Sequence, residues 1–196
     1  MQSRRYGDAG QAFPIYITVV GGLLFLAFAY LAVGQAAANR NGAQTAADAA
    51  ALAAAQDRRD QLAGEWVENL LDPTKWQEIF DGDVPTLDLS CPRADELAAQ
   101  NDADVVTCAP QGLLGYKVEV KTNKPVGDSI VPGTENKYAT AQATAVIEPR
   151  CLPVGDAGGD DLPLLACEDR EWKLDPKGPA DLLPGPEDLF DVHLAD

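Results

Sequence analysis

An uncharged apolar run at residues 13–33, FPIYITVVGGLLFLAFAYLAV, constrains this chain more than any other feature. A helix needs about 20 mostly apolar residues to cross the ~30 Å hydrocarbon core of a membrane, at ~1.5 Å per residue. The run supplies that length without a charge. The sequence therefore predicts one membrane-spanning helix at residues 13–34, which separates a short segment, residues 1–12, from the rest of the chain.

A cleaved secretory signal peptide is the alternative, because it also has a basic start followed by an apolar stretch. That stretch is usually about 7–15 residues long. Here the run is longer, and the sequence after it, GQAAANRNGAQ, continues in helix-forming residues. We therefore expect the anchor to be retained, although the alanines after the run offer small-residue cleavage sites.

The positive charges beside the run predict its orientation. Arg4 and Arg5 lie shortly before it, whereas Arg40 is the only cationic residue that follows it closely. Because Lys and Arg accumulate on the cytoplasmic side of a span, the N-terminus is expected in the cytoplasm. The sequence thus predicts a single-pass protein of the cell membrane with an extracytoplasmic C-terminal part.

The exported part is strongly acidic. The chain carries a formal net charge of −16 and residues 1–39 contribute +1, which leaves −17 on residues 40–196. Such a surface repels phosphate backbones, so nucleic-acid binding is excluded and peripheral membrane binding is not needed. We interpret the charge as keeping an exported domain soluble, with an acidic binding surface as the alternative.

Four cysteines follow the span and none precedes it. An even number of cysteines in an oxidising compartment predicts two disulfides, with three pairings open. Proximity in the sequence favours Cys91 with Cys108 and Cys151 with Cys167, but spacing alone does not decide between the pairings. A metal site is a weaker interpretation, because no pair has CxxC spacing and the only histidine is His193. No metal or cofactor is expected.

The residues from 35 to about 71 are dense in alanine, the strongest helix former. Every fourth position forms a row of small residues, which we call the small-residue ridge: Gly34, Ala38, Gly42, Ala46, Ala50 and Ala54. Such a row lets another backbone come close. It predicts packing against other helices, as a homo- or hetero-oligomer, or against the chain's own sheet, unless the alanines only reflect helix propensity.

The following pattern predicts a small α+β domain at residues 35–149. The expected elements after the long helix are a short helix at 73–80, a strand from Val84, a helix from Pro92, and strands from Asp104, Tyr116 and Lys137. Alanines and Ile147 occupy alternate positions of the last strand. An alanine face on the sheet fits an alanine strip on the helix. We therefore expect the last two strands to pair antiparallel and the exported half of the helix to pack on them.

Two segments lack such a pattern. The connection at residues 122–136 is long for a hairpin, and loops of that length are often functional. Residues 150–196 are rich in proline, glycine and aspartate. They predict a disordered acidic tail, ordered only where Cys151 and Cys167 close a disulfide loop.

The chain carries no recognisable catalytic motif. A nucleophile, base and acid arrangement would have to recruit His193 from the expected tail. Neither GxxxxGK[ST] nor GxGxxG occurs, and the acidic clusters at residues 81–83 and 156–161 do not match a calcium-loop spacing. The sequence therefore predicts a protein that is not an enzyme.

The first 60 residues resemble a known family. GDAGQA before the span, the span itself, and NGAQTAADAAALAAA after it are similar to the N-terminal region of TadE/TadG proteins, membrane proteins of bacterial tight-adherence (Flp) pilus assembly. The most specific part is AADAAALAAA at residues 46–55. The resemblance implies a pilin-like plan, in which a helix begins in the membrane and packs on a small exported sheet, and it implies other pilus or secretion assembly proteins as partners.

The resemblance also bears on N-terminal processing. Some family members are cleaved after a glycine that is followed, five residues later, by a glutamate. Here the fifth residue after Gly10 is Ile15, and the fifth after Gly7 is Ala12. Because neither is acidic, the sequence resembles the unprocessed, membrane-anchored members.

Two functions from different classes remain at this stage. The first is a non-enzymatic, membrane-anchored component of a Flp pilus or related secretion assembly, which acts through helix packing and extracytoplasmic contacts. The second is a membrane-anchored, adhesin-like binding module, in which the loop at residues 122–136 and the acidic face engage an extracellular partner.

Overall fold

The computed structural model describes residues 12–125, 136–155, 162–168, 170–175, 177–178 and 182–195. Its helices are α1 (Ala12–Glu68), α2 (Trp76–Phe80), α3 (Cys91–Gln100) and α4 (Pro186–Leu189), with a 3-10 turn at Pro73–Lys75 before α2. Its strands are β1 (Ala103–Pro110), β2 (Gly115–Thr122), β3 (Thr140–Pro149), β4 (Cys151–Val154), β5 (Leu164–Cys167), β6 (Glu171–Trp172) and β7 (Phe190–Leu194). The predicted α+β class is confirmed.

The long helix α1 runs without interruption from the apolar segment into the domain. It ends at Glu68, where the side chain of Asn69 donates to the Glu65 carbonyl at 2.8 Å. Pro73 follows five residues later and has no backbone N–H to continue the helical hydrogen bonds. The chain therefore reverses here, and the indole of Trp76 donates to the Asn69 carbonyl at 3.1 Å.

The main sheet has the strand order β1-β2-β3-β7 with antiparallel pairing throughout. In β2, Tyr116, Val118 and Val120 are buried and the residues between them face outward or are half-buried. Val118 lies opposite Ala143 of β3. The predicted antiparallel pairing of these two strands is confirmed, and their period-two pattern is explained by one buried face.

The C-terminal half of α1 packs on β2, β3 and β7 on one side and also contacts α3. Seven of its alanines are fully buried: Ala43, Ala46, Ala47, Ala50, Ala51, Ala54 and Ala55. Small residues are also fully buried on two of its partners, Ala145 on β3 and Ala94 and Ala98 on α3, whereas β2 buries larger side chains. Small residues on both partners let the backbones approach closely and leave no room for larger side chains. The predicted packing of the helix on the alanine face is confirmed.

Bulky side chains fill the end of the domain that lies beyond the alanine segment. Trp66 and Trp76 are fully buried with ring centroids 5.5 Å apart. Phe80 and Phe190 form a second tilted pair, also at 5.5 Å. Aromatic pairs at this spacing add to the stabilisation from burial alone. These residues are core, as the sequence pattern around residues 66–80 indicated.

The strand expected from Val84 does not form. Residues 81–90 are turns and extended chain. The amides of residues 81–83 donate to carbonyls of α2, and two later amides donate to side chains. The Asp88 amide donates to the Gln61 side chain at 2.8 Å, and the Ser90 amide donates to the Tyr116 hydroxyl at 3.2 Å. Pro85 also has no N–H to offer a ladder. Side chains of α1 and β2 thus hold this segment in place of a neighbouring strand. The strand prediction is wrong.

The disordered tail is also a wrong expectation for the part of residues 150–196 that the structure describes. β4, β5 and β6 form a second antiparallel sheet, and β7 joins the main sheet beside β3. Leu189 and Phe190 are fully buried. Phe190, Val192 and Leu194 alternate with polar residues, and this short period-two run is a strand signal within a composition that otherwise favours disorder.

Both disulfides join the residues that are nearest in sequence. Cys91–Cys108, with Cα atoms 5.9 Å apart, ties the start of α3 to β1. Cys151–Cys167 closes the β4–β5 hairpin, where the two cysteines lie directly opposite each other. Each bridge therefore fixes a local pairing and closes a short loop of the chain.

Removing the first bridge should lower the stability of the domain substantially. Cys91 and Cys108 are separated by 17 positions, and closing a loop of that size stabilises the folded chain by about 3 kcal/mol. We expect the double variant Cys91→Ala/Cys108→Ala to lose about that amount in a urea titration of the full chain in detergent. A loss under about 1 kcal/mol would show that the bridge adds little to a pairing already held by α3 and β1.

Candidate membrane anchor and helix-packing surface

The apolar segment of α1 has no cover within the described chain. Among the described residues, one helix is long and apolar enough to cross a membrane, and its most apolar window is wholly exposed. Large side chains project from it, with Phe25 72% and Tyr30 83% exposed. An apolar surface of this extent needs lipid or another protein around it.

The domain begins where α1 first becomes buried. Residues 13–33 are almost entirely exposed, and Ala43 is the first fully buried position. At ~1.5 Å per residue the exposed apolar segment is about 30 Å long, which matches the hydrocarbon thickness of a bilayer. The helix α1 thus contains an apolar segment long enough to cross a membrane, followed by the segment on which the sheet of the domain packs.

The small-residue ridge divides into two halves. Its upper half, Ala46, Ala50 and Ala54, is fully buried within the domain. Its lower half, Gly34, Ala38 and Gly42, is exposed. At either glycine of the lower half an added Cβ atom would meet no heavy atom within 4 Å. Within the described residues, the chain therefore covers only the upper half itself.

Helix geometry explains this division. A step of four residues advances about 40° around the axis, so the ridge winds about half-way around α1 between Gly34 and Ala54. The lower half consequently faces a different direction from the upper half. The upper half of the ridge therefore packs on the chain's own sheet. The interpretation that the ridge packs on another helix concerns only the lower half.

A hydrogen-bonded junction holds the domain to α1 just above the apolar segment. The side-chain amide of Asn39 donates to the carbonyls of Lys124 and Pro125, each at 3.2 Å. The Thr122 hydroxyl donates to the Lys124 carbonyl at 3.0 Å and accepts from the Ala139 amide at 3.1 Å. These bonds hold the end of β2 and the residue before β3, Ala139, to α1 at the level of Asn39. Nothing in the sequence pattern pointed to this junction except the asparagines at 39 and 41 in an alanine-rich helix.

The histidine is not part of a tail. His193 lies on β7 opposite Val146, with Nδ1 2.9 Å from Asp191 and Nε2 3.9 Å from Glu148. Its side chain is 43% exposed. Within the described residues, no group of three or more His, Cys, Asp or Glu side chains is arranged to hold a metal ion. The geometry here is that of a hydrogen-bonded polar cluster at the surface of an edge strand.

Parts of the sequence predictions fall outside the described structure. These are most of the long connection, residues 126–135, and the acidic cluster at residues 156–161. The binding-module hypothesis depends on the first of them. The other acidic cluster, residues 81–83, lies in the turn that ends α2, where Gly82 adopts a φ of +76°.

Comparison with known proteins bears on the N-terminal helix. The family model of Tad, described as Flp pilus-assembly TadE/G-like, matches residues 10–57. Comparisons with curated proteins and with solved structures give no match. The matched stretch contains the whole apolar segment and the whole small-residue ridge, and it ends within the buried part of α1. The resemblance inferred from the sequence is therefore confirmed over residues 10–57, where the chain is similar to the TadE/G-like family of Flp pilus assembly.

Proposed function

We propose that this protein is a non-enzymatic, membrane-anchored component of Flp pilus assembly or a related secretion assembly. In this proposal residues 13–34 span the membrane, residues 1–12 lie in the cytoplasm and the α+β domain lies outside. The observation that carries the proposal is that the family match covers the one helix among the described residues that is long and apolar enough to cross a membrane, a helix whose apolar segment no other described residue covers.

The features of the domain support export. Both disulfides lie beyond the apolar segment, and disulfides persist in oxidising compartments. The formal charge of −17 on residues 40–196 suits a domain that stays soluble outside the cell. The basic residues Arg4 and Arg5 favour the cytoplasm for the opposite end.

The lower half of the small-residue ridge supplies a means of assembly. Gly34, Ala38 and Gly42 are exposed at the boundary between the apolar segment and the domain. Small residues at four-residue spacing allow a second helix to pack closely in or beside a membrane. In the proposal this surface takes a helix of another pilus assembly protein or of a second copy.

A pair of leucine substitutions tests this surface. Ala38→Leu places a bulky side chain on the ridge, whereas Ala36→Leu places the same side chain on the opposite side of α1, about 200° away. Both positions are exposed in the structure. We expect Ala38→Leu to reduce co-purification of other Flp pilus-assembly proteins about tenfold after mild detergent extraction, which corresponds to ~1.4 kcal/mol of lost binding.

The control variant should leave co-purification unchanged. Equal yields of partner proteins with both variants would contradict packing on the ridge. A solitary wild-type protein in mild detergent would contradict the assembly proposal as a whole. Both variants should fold normally, because neither position contacts the domain core.

A further inference from the structure

The junction on α1 places one end of the domain at a defined height above the apolar segment. Asn39 lies six positions after Val33, which is a rise of about 9 Å along the helix. The polar headgroup region of a bilayer extends about 5–8 Å beyond the hydrocarbon on each side. The β2–β3 end of the domain, which is fastened to Asn39, therefore lies at the outer edge of the headgroups if α1 spans the membrane, within reach of long cationic side chains.

This end differs in charge from the rest of the domain. Its described residues include four exposed cationic side chains: Arg40, Lys121, Lys124 and Lys137. Two carboxylates accompany them, Asp102 in an ion pair with Lys124 at 3.0 Å and Asp104 opposite Lys121.

The described residues of this end, four cations and two carboxylates, sum to +2, whereas residues 40–196 together carry −17. The connecting sequence 126–135, outside the described structure, contains two further carboxylates, Asp128 and Glu135, and counting both against this sum brings it to zero. The acidity that repels anionic lipids elsewhere on the domain is therefore absent at the end that meets the bilayer.

The cationic side chains at this end are exposed and can reach phosphate groups. The Lys124–Asp102 pair is 73% and 71% exposed, and such pairs contribute little to stability. Lysine ammonium groups lie on long stems that extend towards an interface, whereas aspartate carboxylates are held close to the backbone. Lys121 lies over the ring of Tyr138 with its ammonium 4.5 Å from the centroid. Tyrosine and lysine together are typical of the membrane–water boundary.

We propose that the β2–β3 end of the domain is a lipid-contact surface, in which Arg40, Lys121, Lys124 and Lys137 bind the phosphates of anionic lipids around α1. The contact, together with the Asn39 junction, holds the domain in one orientation above the membrane and so fixes which faces are open to partners. This inference rests on the proposed membrane span.

Lysine footprinting of the full chain in nanodiscs tests the surface. The protein is placed in discs of phosphatidylcholine alone and in discs that also contain phosphatidylglycerol, and acetylation of each lysine is followed by mass spectrometry. We expect Lys121, Lys124 and Lys137 to react about fivefold more slowly in the anionic discs. Three exposed lysines elsewhere in the described domain serve as internal controls and should not change: Lys75, Lys173 and Lys177.

A matched pair of variants tests whether lysine charge, and not only the nearness of the bilayer, causes the protection. Amide exchange in the β2 end is compared between Lys121→Gln/Lys124→Gln/Lys137→Gln and Lys75→Gln/Lys173→Gln/Lys177→Gln. In anionic discs the wild type and the second set should show slower amide exchange, whereas the first set should not. High salt should reduce this slowing in the wild type and in the second set.

Three results would overturn the proposal. One is equal lysine reactivity in the two kinds of disc, whether the lysines are protected in both or in neither. Another is protection that appears only with other pilus proteins present, which would assign the surface to a protein partner. A chain that stays in solution and does not enter discs would remove the membrane span itself.

Discussion

Ala50→Leu should destabilise the domain by about 3 kcal/mol, the upper part of the usual range for overpacking a core. Ala50 is fully buried in the half of α1 that packs on the sheet and contacts α3. A leucine there adds three carbon atoms to a fully buried position, where protein interiors are close-packed. The loss is measured by urea titration of the full chain in detergent, with the buried Trp66 and Trp76 as fluorescent reporters.

Ala36→Leu is the matched control. It introduces the same side chain on the same helix at an exposed position, and leucine is a good helix former. We expect its stability to lie within about 0.5 kcal/mol of the wild type. Similar small effects at both positions would mean that α1 does not pack closely on the sheet, and the pilin-like arrangement would be wrong.

Phe190→Ala should cost about 3–4 kcal/mol, the usual loss for truncating a buried aromatic side chain. Phe190 is fully buried at the start of β7, and its ring lies 5.5 Å from that of Phe80. Its removal leaves a void between the main sheet and α2. The same urea titration in detergent reports the change.

Leu182→Ala provides the comparison within the same C-terminal part of the chain. Leu182 is 68% exposed, so its truncation should change the stability by less than about 0.5 kcal/mol. If Phe190→Ala were equally silent, residues 190–194 would not belong to the folded core. The tail expected from composition would then be correct and the β7 assignment wrong.

The parts of the fold that follow one strong periodicity could be predicted from the sequence. The apolar segment and the alanine-rich helix are long, uniform patterns, and β2 and β3 alternate cleanly between buried and outward positions. In these elements local propensity and tertiary burial favour the same structure. The alanine face of β3 even indicated its partner, because only another small-residue surface fits it.

The errors arose where composition and a short local pattern disagreed. The run from Phe190 to Leu194 is a strand signal of five residues within a segment rich in proline, glycine and aspartate. Its burial depends on the β3 edge, which no local pattern contains. In the segment from Val84 the alternation was real, but side chains of α1 and β2 took the backbone donors that a strand would have used.

The candidate interaction surface could be only partly read from the sequence. The small-residue ridge was visible as a spacing, but its division into a buried and an exposed half depends on where the sheet begins along α1. The Asn39 junction joins residues more than 80 positions apart. Such a contact leaves no periodic trace, so the orientation of the domain above the apolar segment needed the structure.

The most direct test of the central claim is the intact mass and N-terminal sequence of the protein extracted from membranes, with and without reduction before thiol alkylation. The account predicts a chain that retains residues 13–33 and carries four cysteines that react only after reduction. A chain that begins after residue 34 would contradict it, because the domain would then be a secreted product without an anchor.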